Sequence, residues 1–197
     1  MIKNNFKLRQ DIVDQIKDSI NVKNKIIDTR LDNIIEVSKE IIKAYKSGKK
    51  VIWFGNGGSA ADAQHLSCEL VSKFLIERDA IPSIALTTNT SILTAVGNDY
   101  DFLKIFERQI EALAEKGDIL VGITTSGTSK NIIKGFNKGK KIGTVNVAFT
   151  GKNISKIKKY ADYIIDIPSY HTPRIQEAHI LVGHIICDII EKTLFGE

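Results

Sequence analysis

This sequence is short of cysteine, proline and long apolar runs, and each shortage excludes something. Its two cysteines, Cys68 and Cys187, lie on expected helices with no metal-type spacing. They read as reduced, half-buried thiols, which excludes a disulfide scaffold and a cysteine-held metal. With only three prolines, no low-complexity tract and no fixed-period repeat, the chain is neither a Pro-rich linker nor a solenoid. No run of about 18 or more apolar residues is present, so no membrane-spanning helix is expected. The N-terminus, MIKNNFKLRQDIVDQIKDSI, carries charge throughout and lacks the apolar centre of a signal peptide, so the expected location is the cytoplasm.

Charge of one sign is in modest excess. The net charge is +5, but the lysines are scattered, with short clusters at Lys49-Lys50, Lys138 to Lys141 and Lys156 to Lys159 and little aromatic interleaving. That pattern reads as a solvated surface mildly attractive to anionic substrates, and neither nucleic acid nor membrane is expected as a partner. At 197 residues, 43% apolar and 26% charged, the chain suits one folded domain over 1–197.

From Ile12 to about Tyr45 apolar residues recur at helical spacing, giving two amphipathic helices joined near Asp28 to Arg30. Residues 1–46 are expected to form a helical extension packing on the rest. After Gly48 the period changes. Short, largely apolar runs follow at Val51 to Phe54, Ile81 to Leu86, Ile119 to Thr124, Thr144 to Phe149 and Tyr163 to Ile167. Such runs suit strands buried on both faces. Helical stretches near 59–76, 101–116, 129–141 and 154–160 separate them. The last helix, about 173–194, has Thr172 as expected N-cap and Pro173 at its first position. Strand alternating with helix predicts an α/β fold, a three-layer sandwich with a five-stranded parallel sheet flanked by helices.

Ligands of such sheets bind beyond the carboxyl ends of the strands. Two strand-to-helix loops stand out. Gly55-Asn56-Gly57-Gly58-Ser59 allows close backbone approach, with Ser59 as expected cap and Asp62 as its capping-box partner. Thr124-Thr125-Ser126-Gly127-Thr128-Ser129 offers five hydroxyls in six residues before a helix, a setting suited to a phosphate dianion. Neither is a Walker A loop or a dinucleotide G-x-G-x-x-G. Either alone could be simple capping; two in one sheet favour a phosphorylated ligand.

His65 and Glu69 are four residues apart on one helical face, and the last helix carries Gln176, Glu177, His179 and His184. Imidazole with carboxylate suits zinc. Gln176 and His184, however, are separated by about 12 Å of helix rise. They can share one ion only if long side chains converge; otherwise they come from different subunits or act separately.

The run Gly55 to His65, then Glu69, resembles the signature of sedoheptulose 7-phosphate isomerases (phosphoheptose isomerases), members of the sugar isomerase (SIS) domain group. The likeness continues through Ala85 to Thr88, Val96-Gly97-Asn98-Asp99, Thr125-Ser126-Gly127, Thr150-Gly151, Thr172 to Ile180 and His184, from about residue 30 onward. It implies a SIS-type fold and conversion of sedoheptulose 7-phosphate into D-glycero-D-manno-heptose 7-phosphate, for bacterial surface polysaccharide. It also implies a homotetramer with one zinc per subunit. By the resemblance, His65, Glu69, Gln176 and His184 hold the zinc, Glu69 is the base and His184 the acid. Substrate contacts fall to Asn56, Gly57, Gly58, Ser59, Glu69, Asn98, Asp99, Thr124, Thr125, Ser126, Ser129 and Gln176. Two rival readings share the fold: a non-catalytic phosphosugar-binding protein of the kind that associates with a replication initiator, and a sugar-sensing module of a DNA-binding regulator. The presence of both Glu69 and His184 favours the enzyme, and the chain shows no helix-turn-helix segment.

Overall fold

The computed structural model describes the backbone of residues 2–196 and the side chains from residue 5 to residue 196. Helices α1 (Ile2–Thr29) and α2 (Leu31–Lys46) come first and break at Arg30. Then follow β1 (Val51–Gly55), α3 (Gly58–Val71), β2 (Ser83–Ala85), α4 (Thr90–Asp99), α5 (Ile105–Leu113), β3 (Ile119–Thr124), α6 (Lys130–Ile142), β4 (Val145–Thr150), β5 (Tyr163–Asp166) and α7 (Thr172–Phe195). The five strands form one parallel sheet in the order β2-β1-β3-β4-β5.

Alternation along the strands builds two cores. In β1, Val51 and Trp53 join a cluster with residues of α2, α3 and α7, whereas Ile52 and Phe54 join Phe106, Ile110, Ile132 and Phe136 on the opposite face. Every residue of β1 and β3 is buried, which explains why these strands read as unbroken apolar runs. The sheet is therefore sandwiched, with α3 on one face and α6 on the other. No helix of the described residues is long and apolar enough to cross a membrane.

Several expected boundaries move. The helix expected over 101–116 is a 3₁₀ turn at Phe102–Lys104 followed by α5, and α4 before it has no counterpart among the expected helices. The helix expected over 154–160 is only a 3₁₀ turn, Ile157–Lys159. The second strand is shorter than expected. The last helix starts at Thr172, so His171 rather than Thr172 takes the N-cap position. Likewise α3 begins right after Gly57, which sits at the N-cap with φ 56°. Ser59 is thus inside the first turn and buried, and neither it nor Asp62 caps the helix.

Half of α1 reaches beyond the sandwich. Val22 and Ile26 are buried, but Phe6, Ile12, Ile16 and Ile20 are each more than half exposed. Its contacts with α7 include Ser19 donating to Glu177 at 2.7 Å and Arg174 donating to the Gln15 carbonyl.

Candidate active site

Strands β1 and β3 are neighbours, with Gly55 paired to Ile123, yet the helices that follow them leave to opposite faces. That is the switch point where an open parallel sheet leaves a crevice. Both loops singled out in the sequence end there. They are stitched by a reciprocal carboxamide pair: Asn56 donates to Asn131 Oδ1 at 2.9 Å and Asn131 donates to Asn56 Oδ1 at 2.8 Å. Asn131, buried in the first turn of α6, carries no motif and escapes sequence reading.

In the hydroxyl loop, Thr124 Oγ1 lies 2.9 Å from Ser129 Oγ and 3.4 Å from Ser126 Oγ, and the Thr128 N–H donates to Ser126 Oγ at 3.2 Å. Thr125 follows, half-buried. Gly127 has φ 65°, and a Cβ there would run into the Asn153 carbonyl, so the turn admits only glycine. Ser129 holds the N-cap position of α6 without using its hydroxyl as a cap. The hydroxyls therefore face one another at a helix N-terminus, where an anion is favoured.

The second feature is the pairing of α3 with α7. Gly58 meets Gln176, Leu66 meets Gly183, His65 meets His184, and the Phe74 N–H just beyond α3 meets Glu191. The offset between partners stays nearly constant, so the two helices run parallel and side by side. A Cβ on Gly58 would overlap the Gln176 amide; the glycine makes room for it. Asp62, one turn on, lies beside the same amide, with Oδ2 buried and without a hydrogen-bond partner. Burial, resisted by His65 and by Gln176, pushes its carboxyl up to about 6.

Two turns further along, His65 Nε2 lies 2.8 Å from His184 Nε2 and 3.1 Å from Glu69 Oε1. The three groups present ligand atoms all within 4.8 Å of one another. At metal–nitrogen distances near 2.0 Å a tetrahedral ion sets its ligands about 3.3 Å apart. The His65–Glu69 spacing is close to that and the His65–His184 spacing about 0.5 Å shorter, and two imidazoles with one carboxylate are a zinc-type donor set. Gln176 is not at this level: it stands with Gly58 and Asp62, about 12 Å of helix rise from His184.

Three other positions are set apart. Asn98 and Asp99 lie exposed at the end of α4, where Asn98 donates to Asp99 at 2.8 Å; among the described residues no hydrogen bond ties them to the loops or the histidines. His179, on the same helix as His184, is fully buried under β4 with Nε2 3.2 Å from the Thr150 carbonyl. Burial lowers its pKa to about 4, against that hydrogen bond. It is a neutral core histidine.

A parallel five-stranded sandwich with phosphate-type loops at its switch point defines a class, and a SIS domain family model matches residues 15–151. A phosphoheptose isomerase of Clostridium acetobutylicum is 53% identical over 188 residues, covering 93% of this chain and 94% of that protein. One of Sulfurimonas denitrificans is 50% identical over 192 residues, covering 96% and 98%. The solved phosphoheptose isomerase of Neisseria gonorrhoeae superposes with a TM-score of 0.89 at 35% identity, covering 94% of this chain and 99% of that one. The chain belongs to the phosphoheptose isomerase family of SIS-domain proteins.

Proposed function

We propose that this protein is an aldose–ketose isomerase that converts sedoheptulose 7-phosphate into D-glycero-D-manno-heptose 7-phosphate, in heptose precursor synthesis in the cytoplasm. The observation that carries the reading is the convergence of His65, Glu69 and His184, the first two on the helix that follows the Gly55–Ser59 loop, in a chain whose neighbouring loop gathers the hydroxyls of Thr124, Ser126 and Ser129. Gly58 and His65 are separated by about 10 Å of rise along α3, the scale of an extended seven-carbon chain.

In this reading Ser126, Ser129, Thr124 and Thr125 hold the phosphate with the N–H groups of α6, and the Gly57-Gly58 backbone and Ser59 border the sugar. Asn56 acts through its clasp with Asn131, keeping the two loops at fixed distance. Asn98 and Asp99 contact substrate only if it extends towards α4. Glu69 takes the proton from C1 and returns it to C2. His184 gives a proton to the C2 oxygen and recovers one from the C1 oxygen, so the enediolate forms and collapses without net gain or loss of protons. His65, Glu69 and His184 suit one zinc per subunit; when bound it supplies positive charge beside the substrate oxygens. Gln176 reaches that level only by a converging side chain or from a neighbouring copy. The exposed apolar stripe Ile12, Ile16 and Ile20 of α1 supports assembly, and a homotetramer with shared sites is part of the proposal.

Replacing one acid–base group typically costs about 10²–10⁴-fold in rate. Glu69→Gln and His184→Asn are therefore expected to abolish isomerisation in a coupled assay while the substrate still binds. Near wild-type turnover in Glu69→Gln would refute the mechanism. Wild type that binds the heptulose phosphate but never converts it, with zinc supplied, would replace the enzyme by a binding protein. Light scattering is expected to show an oligomer, and a fully active monomer would remove the shared-site proposal.

A further inference from the structure

Helix α3 stops at Val71, five residues short of the end expected from its sequence, and what stops it is a buried ion pair. Arg78 Nε donates to Glu191 Oε1 at 3.0 Å, and both side chains are 1% exposed. The rest of the guanidinium caps the helix end: Nη1 donates to the carbonyls of Leu70, Ser72 and Asp79, and Nη2 to that of Glu69 at 2.9 Å. Those of Glu69, Leu70 and Ser72 lie at the C-terminus of α3, where a helix leaves its last carbonyls without intrahelical partners. Glu191 in turn accepts three consecutive backbone N–H groups, from Phe74, Leu75 and Ile76, at 2.9, 2.6 and 2.8 Å. Burial works against its charge, but these donors and Arg78 outweigh it and hold the carboxyl below its ordinary range.

This arrangement reaches the reacting groups from two sides. Through Arg78 it fixes the backbone of Glu69. Through the Phe74 N–H it fixes a loop whose ring lies 5.6 Å, centroid to centroid, from the His184 imidazole and tilted 35° to it. A buried ion pair is a poor source of net stability compared with apolar packing. One whose guanidinium holds three carbonyls at the end of α3 while its carboxylate partner stands on α7 is better explained by alignment. We propose that Glu191 is a positioning residue for the isomerase site, acting through Arg78 on Glu69 and through Phe74 on His184. The proposal rests on the function assigned above.

The test uses the full chain with three readouts: steady-state kinetics on sedoheptulose 7-phosphate, the visible absorption of the cobalt(II)-loaded protein, and circular dichroism to establish that each variant is folded at the assay temperature. Glu191→Gln keeps the shape and removes the charge; Phe74→Leu keeps the apolar contact and removes the flat ring. Loss of a partner that orients a metal ligand typically costs about 10–100-fold. Both variants are therefore expected to lose kcat by that factor with KM changed less than about twofold, and to shift the cobalt bands. Folded Glu191→Gln with wild-type kcat and an unchanged cobalt spectrum overturns the proposal. If Glu191→Gln fails to fold, Phe74→Leu decides: wild-type kcat and spectrum overturn the arm that runs to His184. Wild type without turnover defeats the functional reading instead, and the cobalt spectra still report on the alignment.

Discussion

Asp62 stands in α3 with one carboxylate oxygen buried and unpartnered, its carboxyl raised by burial from 3.8 to about 6. A raised carboxyl pKa means that the folded chain holds the proton more tightly than the unfolded chain does. Folding is then most favoured below 3.8, where both states are protonated, and weakens as pH rises through about 6. At 1.36 kcal/mol per unit the full shift corresponds to about 3 kcal/mol. The carboxyl is only half-buried, so solvent screening reduces this to about 1–2 kcal/mol. Asp62→Asn removes the charge and retains a group that can meet the Gln176 amide. The variant is expected to be more stable than wild type by about 1–2 kcal/mol near pH 7.5, with the gain shrinking towards pH 4. Urea unfolding of chelator-treated protein at the two pH values measures it. A variant less stable than wild type at pH 7.5, or a gain equal at both pH values, refutes the reasoning.

Other outcomes follow from the same geometry. His179 has its pKa lowered to about 4, so its contribution is present above about 6.5 and lost as pH falls towards 4, about 3 kcal/mol in all. It opposes Asp62 over the same window, so wild type is expected to show a shallow stability profile there. His179→Gln and Asp62→Asn should tilt that profile in opposite directions, and parallel tilts would contradict both assignments. Ser126→Ala is expected to raise KM with kcat little changed, because its hydroxyl faces the phosphate end; a loss confined to kcat would contradict its role.

The sheet is legible because strands buried on both faces must be apolar throughout, and β1 and β3 are. The α4 segment is not, for an equally physical reason. Its sequence, TSILTAVGND, mixes β-branched residues with a glycine and buries none of its side chains, so no stripe announces it. The one signal was Asn89, whose side chain accepts the Ile92 N–H as an N-cap. The early end of α3 could not be read at all, because the groups that stop it lie on Arg78 and on Glu191, 113 residues further along the chain.

The site divides in the same way. His65 and Glu69 are legible as a pair because four-residue spacing puts them on one helical face whatever the tertiary fold. Their third partner depends on where α7 lies, and α7 offers two histidines, His179 and His184, to choose between. Sequence spacing treats them alike; packing does not. Because α7 runs parallel to α3, His184 falls level with His65, while His179 points under β4 to the Thr150 carbonyl. The same parallel register accounts for the eight-residue gap between Gln176 and His184. Gln176 is level with Gly58, at the start of α3, and His184 with His65, two turns later. A chain that needed both on one ion would not place them at two levels of a straight pair of helices, unless a second copy closes the distance. In the proposed homotetramer a neighbouring copy is what would close that distance, and light scattering together with the metal content of a dissociated variant tests it.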